Sequence, residues 1–240
     1  MRRSHGFYRA IPRSPLHVPY ELGDDFDAWE DALALPRFSF PELVLNAENL
    51  SCRRGGRLIF EGLSFRLGHG EAIALTGRNG AGKSSLIALL CGRLRPDGGE
   101  MRIEGAEDAP LTELSHLVGH RDGLKVTLTA QENLVFAQAL LGEPGMAPQD
   151  ALSAVGLPHV AGLPVGYLSA GQRRRVALAR LLVSRRPFWL LDEPMAALDV
   201  AAQAMLAGLM RDHLAQGGAI LAATHGPLGL ETARELRIGP

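Results

Sequence analysis

The 240-residue chain has two cysteines, Cys52 and Cys91, too far apart for a CxxC pair and too few for a disulfide framework. That fits a reducing compartment, with both thiols read as small apolar residues. Lysine is equally scarce: of 25 cations only Lys83 and Lys125 are lysine, and each draws notice because the two cations are not interchangeable where geometry matters. Charge of one sign is missing too. A formal net charge of −1 gives no global basic field for nucleic acid, so DNA or RNA binding would need a local patch. No apolar run approaches the roughly 18 residues that span a bilayer. The N-terminal MRRSHGFYRAIPRSPLHVPY breaks on Pro, Arg and His before an apolar h-region forms, and does not read as a secretory signal. What remains, 46% hydrophobic and 21% charged, is an ordinary globular composition with one principal core.

Residues 1–41 stand apart as an N-terminal extension, Arg- and Pro-rich and then acidic, expected to be poorly ordered or to reflect a start site placed too early. Phe26, Trp29 and Leu33 fall on one face of a short helical pattern. From Glu42 onward, alternating apolar runs (ELVLNAENLSC, RLIFEGLSFRL) give way to brief apolar strands alternating with longer helical periods. The strand candidates are EAIALTG, HLVGH, FWLLDEP and AILAATH. The helix candidates are KSSLIALLCGRL, TAQENLVFAQALLG, QDALSAVGL, SAGQRRRVALARLLVSRR and DVAAQAMLAGLMRDHLAQ. Such alternation predicts an α/β fold with helices on both faces of a parallel sheet and ligands at the carboxyl ends of its strands.

Gly77-Arg78-Asn79-Gly80-Ala81-Gly82-Lys83-Ser84-Ser85 follows a predicted strand and opens a predicted helix, the context a P-loop requires. Glycines at Gly77, Gly80 and Gly82 allow backbone N–H groups to turn inward, and the helix N-terminus adds partial positive charge. Lys83 is placed for the β- and γ-phosphates of ATP and Ser84 for Mg²⁺. A carboxylate pair, Asp192-Glu193, ends the fully apolar FWLL strand. Asp192 is read as a metal-site residue and Glu193 as the group that polarises the attacking water. Ser169 and Gln172, three apart, have capping-box spacing, so Ser169 should cap a helix whose first turn leaves N–H groups free.

Five motifs in order, GRNGAGKSS, LSAGQ, LLDEP, Ala197-Leu198-Asp199 and Thr224-His225, resemble the Walker A, signature, Walker B, D-loop and H-switch of ATP-binding cassette (ABC) ATPases over 42–240. The resemblance implies a P-loop NTPase with a parallel-sheet core, an antiparallel β-subdomain and a helical subdomain at about 120–168. It further implies a head-to-tail homodimer in which Ser169, Ala170, Gly171 and Gln172 face the partner's ATP, and it makes Asp199 the D-loop residue. His225 would contact the γ-phosphate and join Glu193 in catalysis.

Two departures stand out. Arg54 occupies roughly the place of the adenine-stacking aromatic, so base stacking is either supplied by its guanidinium plane or weak, with loose adenine selectivity. No Gln occurs where the Q-loop is expected, so the usual link is absent or rebuilt from His120 or Arg121. The stretch GHRDGLK, with LTAQENL and LSAGQRRRVALARLL, is similar to the ATP-binding subunit of the bacterial haem exporter of cytochrome c maturation, the CcmA family. That family association implies integral membrane partners (a haem exporter permease), contacted near Arg121, Asp122 and Lys125, and a peripheral position on the cytoplasmic face of the inner membrane. ATP hydrolysis would power release of a haem-loaded chaperone. A soluble ABC ATPase serving an assembly process, such as iron–sulphur cluster building, is the alternative. The run Arg173-Arg174-Arg175 is read as helix-surface charge making solvent or intersubunit contacts, because three consecutive helical residues point different ways.

Overall fold

The computed structural model describes residues 38–106 and 109–239; residues 1–37, with the Phe26, Trp29 and Leu33 face, lie outside the described residues. In chain order the strands are β1 (Val44–Arg54), β2 (Arg57–Leu67), β3 (Ala72–Thr76), β4 (Gly98–Glu104), β5 (Ser115–Val118), β6 (Phe188–Asp192), β7 (Ala219–Ala223) and β8 (Arg234–Arg237). The helices are α1 (Lys83–Leu90), α2 (Leu111–Leu114), α3 (Ala130–Leu141), α4 (Pro148–Ala154), α5 (Ala170–Ala179) and α6 (Val200–Ala215).

β1 and β2 form a hairpin closed by Gly55-Gly56, both at positive φ, as a two-residue turn of matching twist demands. With β4 they make an antiparallel sheet in the order β2-β1-β4. The other five strands are parallel, in the order β5-β6-β7-β3-β8. Every residue of β6 and β7 is buried, so neither strand has a solvent face and both read as unbroken apolar runs.

Strand alternation divides the core in two. Ile73, Leu75, Phe188, Leu190 and Leu221 point toward the antiparallel sheet and α1, packing with Leu45, Leu67, Leu86 and Leu90. Trp189, Leu191, Ile220 and Ala222 point the other way, into a cluster with Leu134, Leu152, Val176, Leu206 and Met210 from α3 to α6. Two neutral histidines sit within the packing. His116 bonds the Ser184 carbonyl at 2.8 Å, and burial pushes its pKa down to about 4. His213 bonds the Pro187 carbonyl at 3.1 Å and stacks on Trp189 with ring centroids 3.9 Å apart; burial pushes it down to about 3.

The four strand candidates become β3, β5, β6 and β7; β8 is not evident from the sequence, because RELR carries no apolar alternation. The helix expected to run on to Arg186 stops at Ala179. Beyond it the carbonyls of Leu182 and Val183 accept from Met146 and Gly145, a pairing that helical geometry would forbid. Phe38–Pro41, grouped by composition with the extension, packs against the ordered body: Phe40 is buried, donates its N–H to the Gln216 carbonyl and meets His213 edge-on.

Candidate nucleotide site

Because β6, β7 and β3 are neighbours, the loops at their carboxyl ends converge on one cleft of about 660 Å³. Its walls include Arg78, Asn79, Gly80, Gly82, Lys83, Ser84 and Ser85 from the P-loop, Asp192 and Glu193 after β6, and His225 after β7. Gly77 at φ 140° and Gly82 at φ 113° make the turn. A methyl group on Gly77 would stand 2.4 Å from the Ile238 carbonyl oxygen, and one on Gly82 2.5 Å from Ile59 Cγ2, so only glycine fits. Gly82 also caps α1 without any side-chain bond, and the first turn of α1 carries no acidic residue. The free N–H groups and positive helix end are thus left for an external anion.

Lys83 is buried, with Nζ donating to the Gly77 carbonyl at 2.9 Å and lying 3.0 Å from His225 Nε2. An ammonium has three N–H groups, so one remains for a phosphate oxygen. His225 Nε2 is also 3.3 Å from Glu193 Oε1. Lys83, His225 and Glu193 therefore form one contiguous polar set across the cleft. Glu193 sits at φ 50°, in the left-handed region that a side chain rarely adopts. Its N–H donates to the Ala223 carbonyl at 3.0 Å and its own carbonyl accepts from Arg174 at 2.8 Å.

Asp192, buried, and Ser84, exposed, line the same cleft. Hydroxyl and carboxylate are hard oxygen donors suited to Mg²⁺. Among the described residues no group of three or more His, Cys, Asp or Glu forms a metal cage. The donor set therefore fits an ion that takes its other ligands from phosphate and water, as Mg²⁺ commonly does.

Residues from both departures reach the cleft. Arg54 lines the cleft, as does Ile59, which sequence reasoning missed for want of any motif around it. Of the two candidates to rebuild the Q-loop, His120 lines the cleft and Arg121 is not among its lining residues.

The remaining motif residues lie elsewhere. Ser169 Oγ accepts from the Gln172 N–H at 3.2 Å while Gln172 Oε1 accepts from the Ser169 N–H at 2.9 Å, the reciprocal cap expected from spacing. Ser169 and Ala170 are exposed and none of Ser169–Gln172 lines the cleft. Asp199 caps α6 by accepting from Ala202 N–H at 2.8 Å. Signature and D-loop adjoin one another: a methyl on Gly171 would meet the Ala197 carbonyl at 3.3 Å. Of the arginine run expected to make solvent or intersubunit contacts, Arg174 departs by being buried, while Arg173 and Arg175 are half-buried. Arg173, Arg174 and Arg175 each donate to backbone carbonyls, of Leu168, of Gly119 and Glu193, and of Val155 respectively.

Comparison with known proteins agrees with this geometry. Residues 60–196 match the family model described as ABC transporter. A Rhodopseudomonas palustris (strain HaA2) protein named cytochrome c biogenesis ATP-binding export protein CcmA is 56% identical over 196 residues, covering 81% of this chain and 98% of that protein. The protein of the same name from Bradyrhizobium diazoefficiens is 54% identical over 199 residues, covering 82% and 98%. Among solved structures, an ATP-binding subunit of an ABC transporter superposes with a TM-score of 0.73 at 25% identity, covering 81% of this chain and 85% of that one. A bacterial Atm1-family ABC exporter with ATP bound gives 0.71 at 23% identity over 86% of this chain and 39% of that one, a likeness of fold. With the P-loop, the Asp192-Glu193 pair and His225 gathered on one cleft and its relatives alike over nearly their whole length, the chain belongs to the ABC transporter ATPases and, within them, to the CcmA family of cytochrome c biogenesis ATP-binding export proteins.

Proposed function

We propose that the chain is the ATP-hydrolysing subunit of the haem exporter of cytochrome c biogenesis, working as a head-to-tail homodimer on integral membrane subunits at the cytoplasmic face of the inner membrane. The observation that carries the reaction is the convergence of Lys83, Asp192, Glu193 and His225 on one cleft at the carboxyl ends of β3, β6 and β7. The export role is supported by the names of relatives such as the Rhodopseudomonas palustris protein.

In this reading the uncapped end of α1 and the P-loop N–H groups hold the phosphates, and Lys83 turns its remaining N–H toward them. Ser84 and Asp192 would hold Mg²⁺, which when bound neutralises charge developing on the phosphate oxygens. Glu193 orients and polarises the attacking water, its carboxylate fixed by a backbone bonded on both sides. His225 reads the γ-phosphate from the opposite wall. The capping box uses the Gln172 N–H and leaves the N–H groups of Ala170 and Gly171 at an exposed helix end, suited to a second copy's γ-phosphate. Contact between Gly171 and Ala197 brings signature and D-loop to one surface, so a single partner would meet both.

No described helix is long and apolar enough to cross a membrane, so a membrane role needs partners that span it. Affinity purification of the tagged full chain from detergent-solubilised membranes tests this. The expected result is recovery with integral membrane proteins and ATP hydrolysis in the complex. Recovery solely from the soluble fraction of cells holding all partners would overturn the transporter reading in favour of a soluble assembly ATPase.

A further inference from the structure

Arg174 projects from α5, five residues beyond the Ser169 cap, and is 4% exposed. Its two terminal nitrogens donate to four acceptors. Nη1 reaches the Gly119 carbonyl at 2.7 Å and Asp122 Oδ1 at 3.3 Å; Nη2 reaches the carbonyls of Asp192 at 3.3 Å and Glu193 at 2.8 Å. Nε is buried without a partner. Burying a guanidinium costs several kcal/mol unless geometry and pairing are excellent, and an apolar side chain commonly serves stability as well. The ion-pair partner here, Asp122, is itself partly exposed, and one N–H is left unmet. Packing alone gives no reason for a cation at this place.

The four acceptors supply one. Two belong to Asp192 and Glu193, the residues read as metal and water groups; two belong to the loop that follows β5, where His120 enters the cleft. Glu193 holds a left-handed backbone, φ 50°, that is strained for a residue with a side chain and persists where its surroundings over-determine it. Ala223 fixes its N–H and Arg174 its carbonyl. If Asp122 moves away, a buried cation loses its counter-charge, so the position of that loop and the setting of Glu193 share one free energy.

We propose that Arg174 is a positioning residue: its two-sided fork sets the Glu193 backbone and ties it, through Gly119 and Asp122, to the loop after β5. The proposal rests on Glu193 being the water-activating group. A double-mutant cycle on the full chain tests it, with Arg174→Lys, Asp122→Asn and their combination, and Glu193→Gln as a separate arm. Lys keeps the charge but cannot span four acceptors. Arg174→Lys should lower kcat by about tenfold or more while the dissociation constant for a fluorescent ATP analogue stays within about twofold, as expected of misplacement without lost binding. Asp122→Asn, which keeps an oxygen acceptor for Arg174 Nη1, should lower kcat by a smaller factor, and the double variant should be no slower than Arg174→Lys. Wild-type kcat in Arg174→Lys, multiplicative effects in the double variant, or loss of analogue binding in step with kcat would each overturn the assignment. Unchanged turnover in Glu193→Gln would instead defeat the reading of Glu193.

Discussion

Nζ of Lys83 lies 3.0 Å from Nε2 of His225, and the two residues come from loops after adjacent parallel strands. The same ring nitrogen stands 3.3 Å from Glu193 Oε1. An ammonium only donates and a carboxylate only accepts, so one ring nitrogen cannot serve both in a single neutral tautomer. With the proton on Nδ1, Nε2 accepts from Lys83; with the proton on Nε2, it donates to Glu193. The third N–H of Lys83 stays available for a phosphate oxygen, and the tautomer of His225 decides which of Lys83 and Glu193 it bonds.

Glu193→Gln follows from that arrangement. The amide cannot act as a base but can still lie beside His225, so turnover should fall by about 10²–10⁴-fold with ATP binding retained. Single-turnover hydrolysis measures the first quantity. ATP-dependent dimerisation, followed by size-exclusion chromatography, should persist in this variant and be lost when Ser169→Arg blocks the exposed signature end.

The P-loop glycines should differ in tolerance. Gly80 has φ 79° but open space where a methyl would stand, so Gly80→Ala carries the left-handed backbone cost of about 1–2 kcal/mol. Gly77→Ala adds a methyl 2.4 Å from a main-chain oxygen, which cannot give way as a side chain can. Thermal unfolding should show the Gly77 variant as clearly the less stable, and nucleotide binding should be abolished in it but merely weakened in the other.

Arg54 lines the cleft where a base-stacking aromatic is otherwise expected. Loss of a contact worth ~0.5–1 kcal/mol should raise KM for ATP about two- to fivefold in Arg54→Ala, with kcat little changed. Arg54→Tyr should restore KM. Steady-state kinetics with ATP and GTP would show whether the change is specific to adenine.

Acid should destabilise the protein through His116 and His213. Both are held neutral by burial, with pKa values of about 4 and about 3, below the ordinary 6.5. The unfolded chain therefore binds more protons between pH 6.5 and about 4, and stability falls as pH drops through that window. Each such histidine contributes a slope of up to about 1.4 kcal/mol per pH unit. His213→Phe keeps the stacking on Trp189, and the Pro187 carbonyl it gives up still accepts from Ala219 N–H at 2.7 Å. Denaturant unfolding at pH 5 to 7 should show the variant's slope reduced by about one proton.

The site was legible in the sequence wherever a residue type answers a local requirement: glycines for positive φ, a lysine for phosphate, a carboxylate pair at the end of a buried strand, Ser169 and Gln172 for a cap. The P-loop, the carboxylate pair and His225 come together because each follows a strand of one parallel sheet, while Ser169 and Gln172 lie apart from that cleft. What the sequence hid depends on contacts between distant segments. Arg174 reads as one of three surface charges, since nothing local shows that its side chain turns inward to Gly119 and Glu193. Ile59 is an unremarked strand residue until Gly82 comes against it. The early end of α5 is likewise hidden, since beyond it Leu182 and Val183 pair through their carbonyls with Met146 and Gly145, distant in sequence.

The preference for arginine over lysine acquires a physical meaning from the carbonyls these side chains hold. Arg186 alone ties Thr112 and Ser115 at 2.8 Å and Leu141 at 2.9 Å, and Arg180 reaches the Asp122 carbonyl at 3.3 Å. Burial draws both guanidinium groups below their ordinary range, yet such groups hold their proton far beyond neutrality. Loops fastened in this way stay fastened in alkaline surroundings, where ammonium anchors in the same places would discharge and let go.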